Sequence, residues 1–265
     1  QYLTSLKCLL LEFSDRFSKS KLDIEKTDIY EASLPTIPNK KVTQLVRRLP
    51  TNKFQFAIKA ILQLEKAGIV RESDSDWRSN VVMVPKPTSA SESRQNTKAD
   101  KMTGEHNKSE LYRICLDFKD VNKLLIFPQQ TQFTTLDTFL QTLKNKVVVS
   151  LDISSAFFII PIKEEDRKKT SFWVNHTTWE FNCLVMGLKS SPYHLNRFLA
   201  LAFSPEAYQK VFNSLTPQEQ MLVPKSFDEC MVSYFDDMFV YAESYESLHV
   251  CFKLVLLAAR AARIK

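Results

Sequence analysis

Val147-Val148-Val149-Ser150-Leu151-Asp152 is an apolar, largely β-branched run that ends on a carboxylate, and Met231-Val232-Ser233-Tyr234-Phe235-Asp236-Asp237-Met238-Phe239-Val240-Tyr241 carries two more in its middle. Both stretches have the composition of strands. The second reads as strand, tight turn, strand, with the aspartates at the turn. Carboxylates on such strands are costly unless they are paired, hydrogen-bonded or bound to cations. If the two stretches pair in one sheet, three carboxylates converge at one edge. Oxygen donors with no nitrogen or sulfur among them suit Mg²⁺ or Mn²⁺. Three carboxylates and two such ions are the arrangement for in-line phosphoryl or nucleotidyl transfer. Taken alone, Asp236-Asp237 also reads as an ordinary turn between strands, because Asp is a common turn residue.

Working outward, the preceding segment predicts an amphipathic helix through Leu136, Phe139, Leu140 and Leu143, capped by Thr134 or Thr135. A hairpin is expected from Phe158 to Phe181, and Ser191-Pro192 opens a helix that runs to about Phe203. Residues 204–229 read as an insertion, and a last helix starts near Tyr245. Upstream, Phe54, Ile58, Ile61 and Leu62 keep helical spacing, with Gly68 as the stop. Short strands follow at Ile69-Val70, Val81–Val84 and Tyr112–Phe118. Residues 88–110 between the last two lose nearly every aliphatic side chain, which predicts a long exposed loop. Residues 1–50 form a polar leader whose start, Leu3 to Phe17, has the pattern of an amphipathic helix. Strands and helices interleave irregularly, so the fold class is α+β.

Composition narrows the function. The 265 residues are 44% hydrophobic and 25% charged, which supports a sizeable core and excludes global disorder. The net charge of +6 suits a polyanionic partner. Only Gly68, Gly104 and Gly187 are glycine, which excludes the Gly-rich phosphate loops of dinucleotide-binding and P-loop proteins. The five cysteines lack metal-ligand spacing and read as reduced thiols of an intracellular, cytoplasmic protein. No apolar stretch is long enough to span a bilayer, so no membrane partner is expected. The chain opens on Gln1 without a signal segment and reads as cut from something longer.

Five segments, in this order, carry a resemblance: Leu64-Glu65-Lys66-Ala67-Gly68-Ile69-Val70; Tyr112–Phe118 through Asn122-Lys123; Leu151-Asp152-Ile153-Ser154-Ser155-Ala156-Phe157-Phe158; Met186-Gly187-Leu188-Lys189-Ser190-Ser191-Pro192; and Tyr234-Phe235-Asp236-Asp237. Together they resemble the polymerase region of retroviral-type reverse transcriptases, and the leader through Phe13–Lys19 looks like that of gypsy-type LTR retrotransposons. The resemblance implies a right-hand polymerase: fingers over 51–130, with the loop insertion at 88–110, and a palm over 131–265. The palm would be an antiparallel sheet packed on helices, with part of 158–185 open to assignment to the fingers. The chain would stop before the thumb, which is absent from it.

The same resemblance implies the roles. Asp152, Asp236 and Asp237 would be the catalytic carboxylates that hold two Mg²⁺ or Mn²⁺ ions. Lys86, Arg113, Ile153, Phe157, Met186 and Gly187 would bind the incoming deoxynucleotide, with Phe157 as a steric gate against a 2′-hydroxyl; a buried core Phe is the alternative for that position. Tyr234, Phe235, Lys189 and Arg78 would touch template or primer. Two departures stand out: Ser155 occupies a position where many retroviral enzymes carry aspartate, and Met186 replaces a common glutamine. The implied function is RNA-directed DNA synthesis from a primer on an RNA or DNA template. The remaining Pol regions, thumb and RNase H, would be partners within a polyprotein, and virus-like particles the setting. A decayed or domesticated copy that only binds nucleic acid or protein is the alternative, followed by an RNA-dependent RNA polymerase.

Overall fold

The computed structural model describes residues 2–85, 112–126, 136–234 and 237–265. Lys86, the loop expected at 88–110, the cap at Thr134 or Thr135, Phe235 and Asp236 lie outside the described residues. In chain order the helices are α1 (Tyr2–Glu12), α2 (Thr51–Lys66), α3 (Lys119–Leu124), α4 (Leu136–Leu143), α5 (Glu164–Arg167), α6 (Ser191–Ala202), α7 (Pro205–Phe212), α8 (Pro217–Gln220) and α9 (Tyr245–Ala261). The strands are β1 (Val70–Glu72), β2 (Val81–Pro85), β3 (Tyr112–Leu116), β4 (Val147–Asp152), β5 (Phe172–Val174), β6 (Thr177–Phe181), β7 (Met231–Tyr234) and β8 (Asp237–Ala242). Every strand pair is antiparallel, in keeping with an α+β protein. The chain divides into two compact units.

The first unit comprises residues 1–33, 127–161 and 190–265. Its sheet has the order β4-β8-β7, with Val147 opposite Ala242, Asp152 opposite Asp237, and Tyr234 opposite Asp237. The two-residue side-chain period sends Val147, Val149 and Leu151 toward the core with Val240 and Ala242, while Val148, Ser150 and Asp152 face the other way. The apolar run before Asp152 is therefore covered on one face only, and Val148 is exposed. Helix α9 fills the covered face. It is buried on nearly every side, from Leu248 to Ala259, because β4, β8, α1, α6 and α7 all pack on it. Its N-cap Ser244 accepts the Ser247 amide at 3.2 Å.

The leader contributes to this core. The α1 helix ends at Glu12, a 3₁₀ turn follows at Ser14–Arg16, and Leu9 and Phe13 are buried among α9 residues. The Arg260 guanidinium lies 4.2 Å from the centre of the Phe13 ring. Residues 204–229, which read as an insertion, are part of this core. They form α7 and α8 and bury Tyr208, Val211, Leu215 and Phe227 in the same core. Helix α4 packs on the opposite face of the sheet, where Phe139 meets Phe239 edge-on at 4.8 Å, although Leu140, expected on its apolar side, is exposed. Helix α6 starts one residue earlier than the Ser191-Pro192 cap predicts: Ser190 is its N-cap and makes no capping bond.

The second unit comprises residues 34–126 and 162–189. Its three-stranded sheet has the order β1-β6-β5, and β5 and β6 are joined through Asn175 and His176 at φ 54° and 63°, the signature of a type I′ turn. The hairpin predicted over 158–181 is thus confined to its second half. Residues 156–170 instead form 3₁₀ turns and α5, because the charged run Lys163–Thr170 lacks strand alternation and starts a helix with Glu164, Glu165 and Asp166. Strands β2 and β3 form a separate hairpin. One face of it lies under α2, where Phe56 contacts the Tyr112 ring at 5.4 Å and the Lys53 ammonium sits 5.3 Å from it. Gly68, at φ 68°, ends the helical segment as expected, with the Ile69 amide returning to the Leu64 carbonyl at 2.9 Å. The second half of the leader is bound here: Ile37 donates to Leu124, and Ile126 donates to Pro35.

Candidate functional site

Strand β4 brings Asp152 directly opposite Asp237, the first residue of β8. Both lie on the face away from α9 and are exposed. Among the described residues neither side chain makes a hydrogen bond or an ion pair. Like charges facing each other across an antiparallel pair repel, so this end of the sheet is an anionic site with no counter-charge paired to it among the described residues. The donor set fits a hard divalent cation: carboxylate oxygens that need no partner displaced before they coordinate. Among the described residues no third His, Cys, Asp or Glu joins the pair as a metal-binding group. Asp236 lies between the described ends of β7 and β8. Tyr234 belongs to β7, with its backbone opposite Asp237.

Ile153, next in the chain, is buried and anchors the end of β4. Ser155 then adopts the left-handed conformation at φ 49°, and Phe157 follows in a 3₁₀ turn, half-buried. Phe158 is half-buried as well. A cavity of about 420 Å³ opens beside Asp152 between the end of β4, Arg16–Ser18 and the α9 side chains Val255 and Ala259.

In the second unit, Arg113 sits in β3 opposite Val84. It points away from α2 on a face that leaves Val82 and Val84 exposed, and it has no partner among the described residues. Met186 is 69% exposed, and Gly187 follows at φ 102°. The need for glycine there is conformational. An added Cβ would meet Phe118 at 3.5 Å and the Leu116 carbonyl at 3.7 Å, which are ordinary contacts, whereas the φ is one that L-residues avoid. Asn122 of α3 holds this turn: its Nδ2 donates to the Gly187 carbonyl and its Oδ1 accepts the Lys189 amide, both at 2.8 Å. The sequence quotes Asn122 only as part of a motif, and its bracing function is not visible there. Lys189 is exposed. Arg78 is half-buried and its Nε donates to the Gln44 carbonyl at 3.1 Å, which ties it to the leader, and the neighbouring Trp77 is buried packing.

Comparison with known proteins places the chain in a family. The family model described as reverse transcriptase (RNA-dependent DNA polymerase) matches residues 98–265. Among curated relatives, the Retrovirus-related Pol polyprotein from transposon opus of Drosophila melanogaster is 27% identical over 82% of this chain and 18% of its own length. The one from transposon gypsy of the same organism is 29% identical over 83% of this chain and 18% of its own length. The chain therefore spans less than a fifth of these relatives. Among solved structures, the foamy viral protease-reverse transcriptase in complex with an RNA/DNA hybrid superposes with a TM-score of 0.71 at 16% identity, covering 99% of this chain and 30% of that one. The native prototype foamy virus protease-reverse transcriptase gives a TM-score of 0.70 at 16% identity over 98% of this chain and 29% of its own. The fold is thus that of the polymerase part of reverse transcriptases. With its family model matched over well more than half its length, the chain belongs to the reverse transcriptase (RNA-dependent DNA polymerase) family.

Proposed function

We propose that this chain is the fingers and palm of an RNA-directed DNA polymerase that extends a primer with deoxynucleotides. The register that sets Asp152 against Asp237 at the end of β4 and β8 is the observation that carries the reading. In it the first unit contributes the palm and the second the fingers. Asp152, Asp237 and Asp236 would hold two divalent cations, Mg²⁺ or Mn²⁺. When bound, such ions activate an attacking hydroxyl and stabilise a pyrophosphate leaving group. The exposure of Asp152 and Asp237, and the absence of side-chain partners for them among the described residues, leave their oxygens ready for this. Phe157 would lie under the deoxyribose and exclude a 2′-hydroxyl. Arg113, without a partner among the described residues, would offer its planar fork to the triphosphate, with Lys86 as a point charge beside it. Ile153 and the turn at Met186-Gly187 would shape the nucleotide pocket. Lys189, Tyr234, Phe235 and Arg78 would meet template or primer, with Arg78 the weakest of these because its Nε is already engaged.

A nucleic-acid partner is supported by the +6 charge and by the structural neighbour solved in complex with an RNA/DNA hybrid. The thumb and RNase H regions of a longer Pol polyprotein would complete the grip on the duplex. Five free thiols support an intracellular, cytoplasmic setting such as a virus-like particle. The test is primer extension on an RNA template annealed to a DNA primer, in Mg²⁺ and Mn²⁺, with Asp236→Asn as the control. It is run on this chain and on one continued past Lys265. Deoxynucleotide addition that vanishes in the variant supports the reading. Silence from the longer chain, with nucleic acid still bound, replaces it with non-catalytic binding.

A further inference from the structure

The segment that follows Asp152 is fastened along its length to the leader. Ser155 Oγ donates to the Lys21 carbonyl at 2.8 Å. The Thr27 amide donates to Ile159 and the Ala32 amide to Pro161, both at 2.9 Å. The leader is folded where it makes the first of these contacts. Ser18 Oγ donates to the Ser20 and Asp23 carbonyls at 2.7 and 2.9 Å, and the Lys19 amide donates to Asp23 Oδ2 at 2.9 Å. Lys265 ties both sides together: its carbonyl accepts the Ser154 amide at 3.0 Å and its ammonium reaches Asp23 Oδ1 at 2.8 Å. The Lys19 amide and then the Lys265 ammonium hold the Asp23 carboxyl below its usual range, so it is ionised where it makes these bonds.

Ser155 occupies the left-handed region, which costs an ordinary L-residue about 1–2 kcal/mol. Asn39, Asn145, Asn175, His176 and Arg263 share that region; Asn and His are residue types enriched there, Ser155 and Arg263 are not, and Ser155 lies between Asp152 and Phe157. The Phe158 amide returns to the Ser155 carbonyl at 2.8 Å, so a shift at Ser155 passes directly to the turn that carries Phe157.

We propose that Ser155 is a positioning residue whose hydroxyl, held on the Lys21 carbonyl, fixes the turn between Asp152 and Phe157 and so sets how the Phe157 ring meets the sugar of the incoming nucleotide. The proposal rests on the polymerase reading above. It gives the leader a function in nucleotide choice, which neither its composition nor its distance in sequence from the site announces.

The experiment compares wild type, Ser155→Gly and Asp23→Ala in single-nucleotide addition with deoxy- and ribonucleotides, using the chain continued past Lys265. Ser155→Gly keeps the left-handed turn without strain and removes the hydroxyl together with the Cβ that carries it. Asp23→Ala loosens the leader turn without touching 152–159. Each is expected to lower the deoxy-over-ribo ratio of kcat/KM by about threefold to tenfold, the range of one side-chain hydrogen bond, through the deoxynucleotide KM rather than kcat. Each is also expected to speed amide exchange at Thr27. A Ser155→Gly protein that discriminates as wild type does overturns the proposal. A wild-type chain that adds neither nucleotide overturns the polymerase reading instead, and unchanged exchange at Thr27 in Ser155→Gly then also refutes the fastening.

Discussion

Asn122→Ala isolates the brace behind the Met186–Lys189 turn. The wild-type amide makes two bonds of 2.8 Å, one to the Gly187 carbonyl and one from the Lys189 amide. Each is worth about 0.5–1.5 kcal/mol net, and the setting is open to water, which compensates part of the loss. Together they should contribute about 1–2 kcal/mol to the turn, equivalent to a roughly 5- to 30-fold change in its opening equilibrium. Asn122→Asp is the sharper variant. Its carboxylate can still accept the Lys189 amide, but it cannot donate to Gly187 and faces that carbonyl with negative charge, so it should not rescue the turn. The assay is amide hydrogen exchange at Lys189 together with the deoxynucleotide KM in primer extension. Both variants should exchange faster at Lys189 and show a raised KM. Wild-type exchange in Asn122→Asp would refute the reasoning, because it would mean that the bond to the Gly187 carbonyl stabilises nothing.

Three further outcomes are expected. Gly187→Ala should cost about 1–2 kcal/mol in urea unfolding, from the positive φ alone; a much larger loss would mean that the Cβ contacts at 3.5 and 3.7 Å are not the ordinary ones they measure as. Phe157→Ala should raise ribonucleotide use relative to deoxynucleotide use, and an unchanged ratio would remove Phe157 from the sugar pocket. Arg260, with help from Arg16, holds the Asp15 carboxyl down at about 2 from its ordinary 3.8. A depressed carboxyl stabilises the fold above its unfolded pKa and loses that contribution as protons bind. The unfolding midpoints of wild type and Asp15→Asn should therefore differ most above pH 3.8 and converge as the pH falls through about 2.

Sequence made the strands that carry Asp152 and Asp237 legible because their signals are local. Val147–Asp152 and the strands either side of Asp236-Asp237 alternate or run apolar over a few residues, and antiparallel pairing is the short route between them. Gly68 announced the end of the α2 segment in the same way. What stayed hidden depended on partners far along the chain. Strand β1 pairs with β6 across more than a hundred residues, and nothing in Val70–Glu72 names that partner. Leu9, Phe13, Ala32 and Leu34 are buried, yet they are too sparse to stand out in a polar leader. Asn122 and Ser155 act through single hydrogen bonds made by small polar side chains, which leave no periodic trace. The first half of the hairpin expected from Phe158 to Phe181 does not form because the apolar Phe158-Ile159-Ile160 run ends a 3₁₀ turn and the charges after Lys163 lead into helix.

The most direct measurement of the central claim is single-turnover deoxynucleotide addition by wild type, Asp152→Asn and Asp237→Asn across a range of Mg²⁺ concentrations, with primer–template affinity measured in parallel. Asparagine keeps the shape of each side chain and removes its charge, so the sheet should be undisturbed. Both variants should lose nearly all addition at every Mg²⁺ concentration while holding the duplex as wild type does. Addition at the wild-type rate by either variant would contradict the assignment of the β4–β8 carboxylate pair as the catalytic metal site.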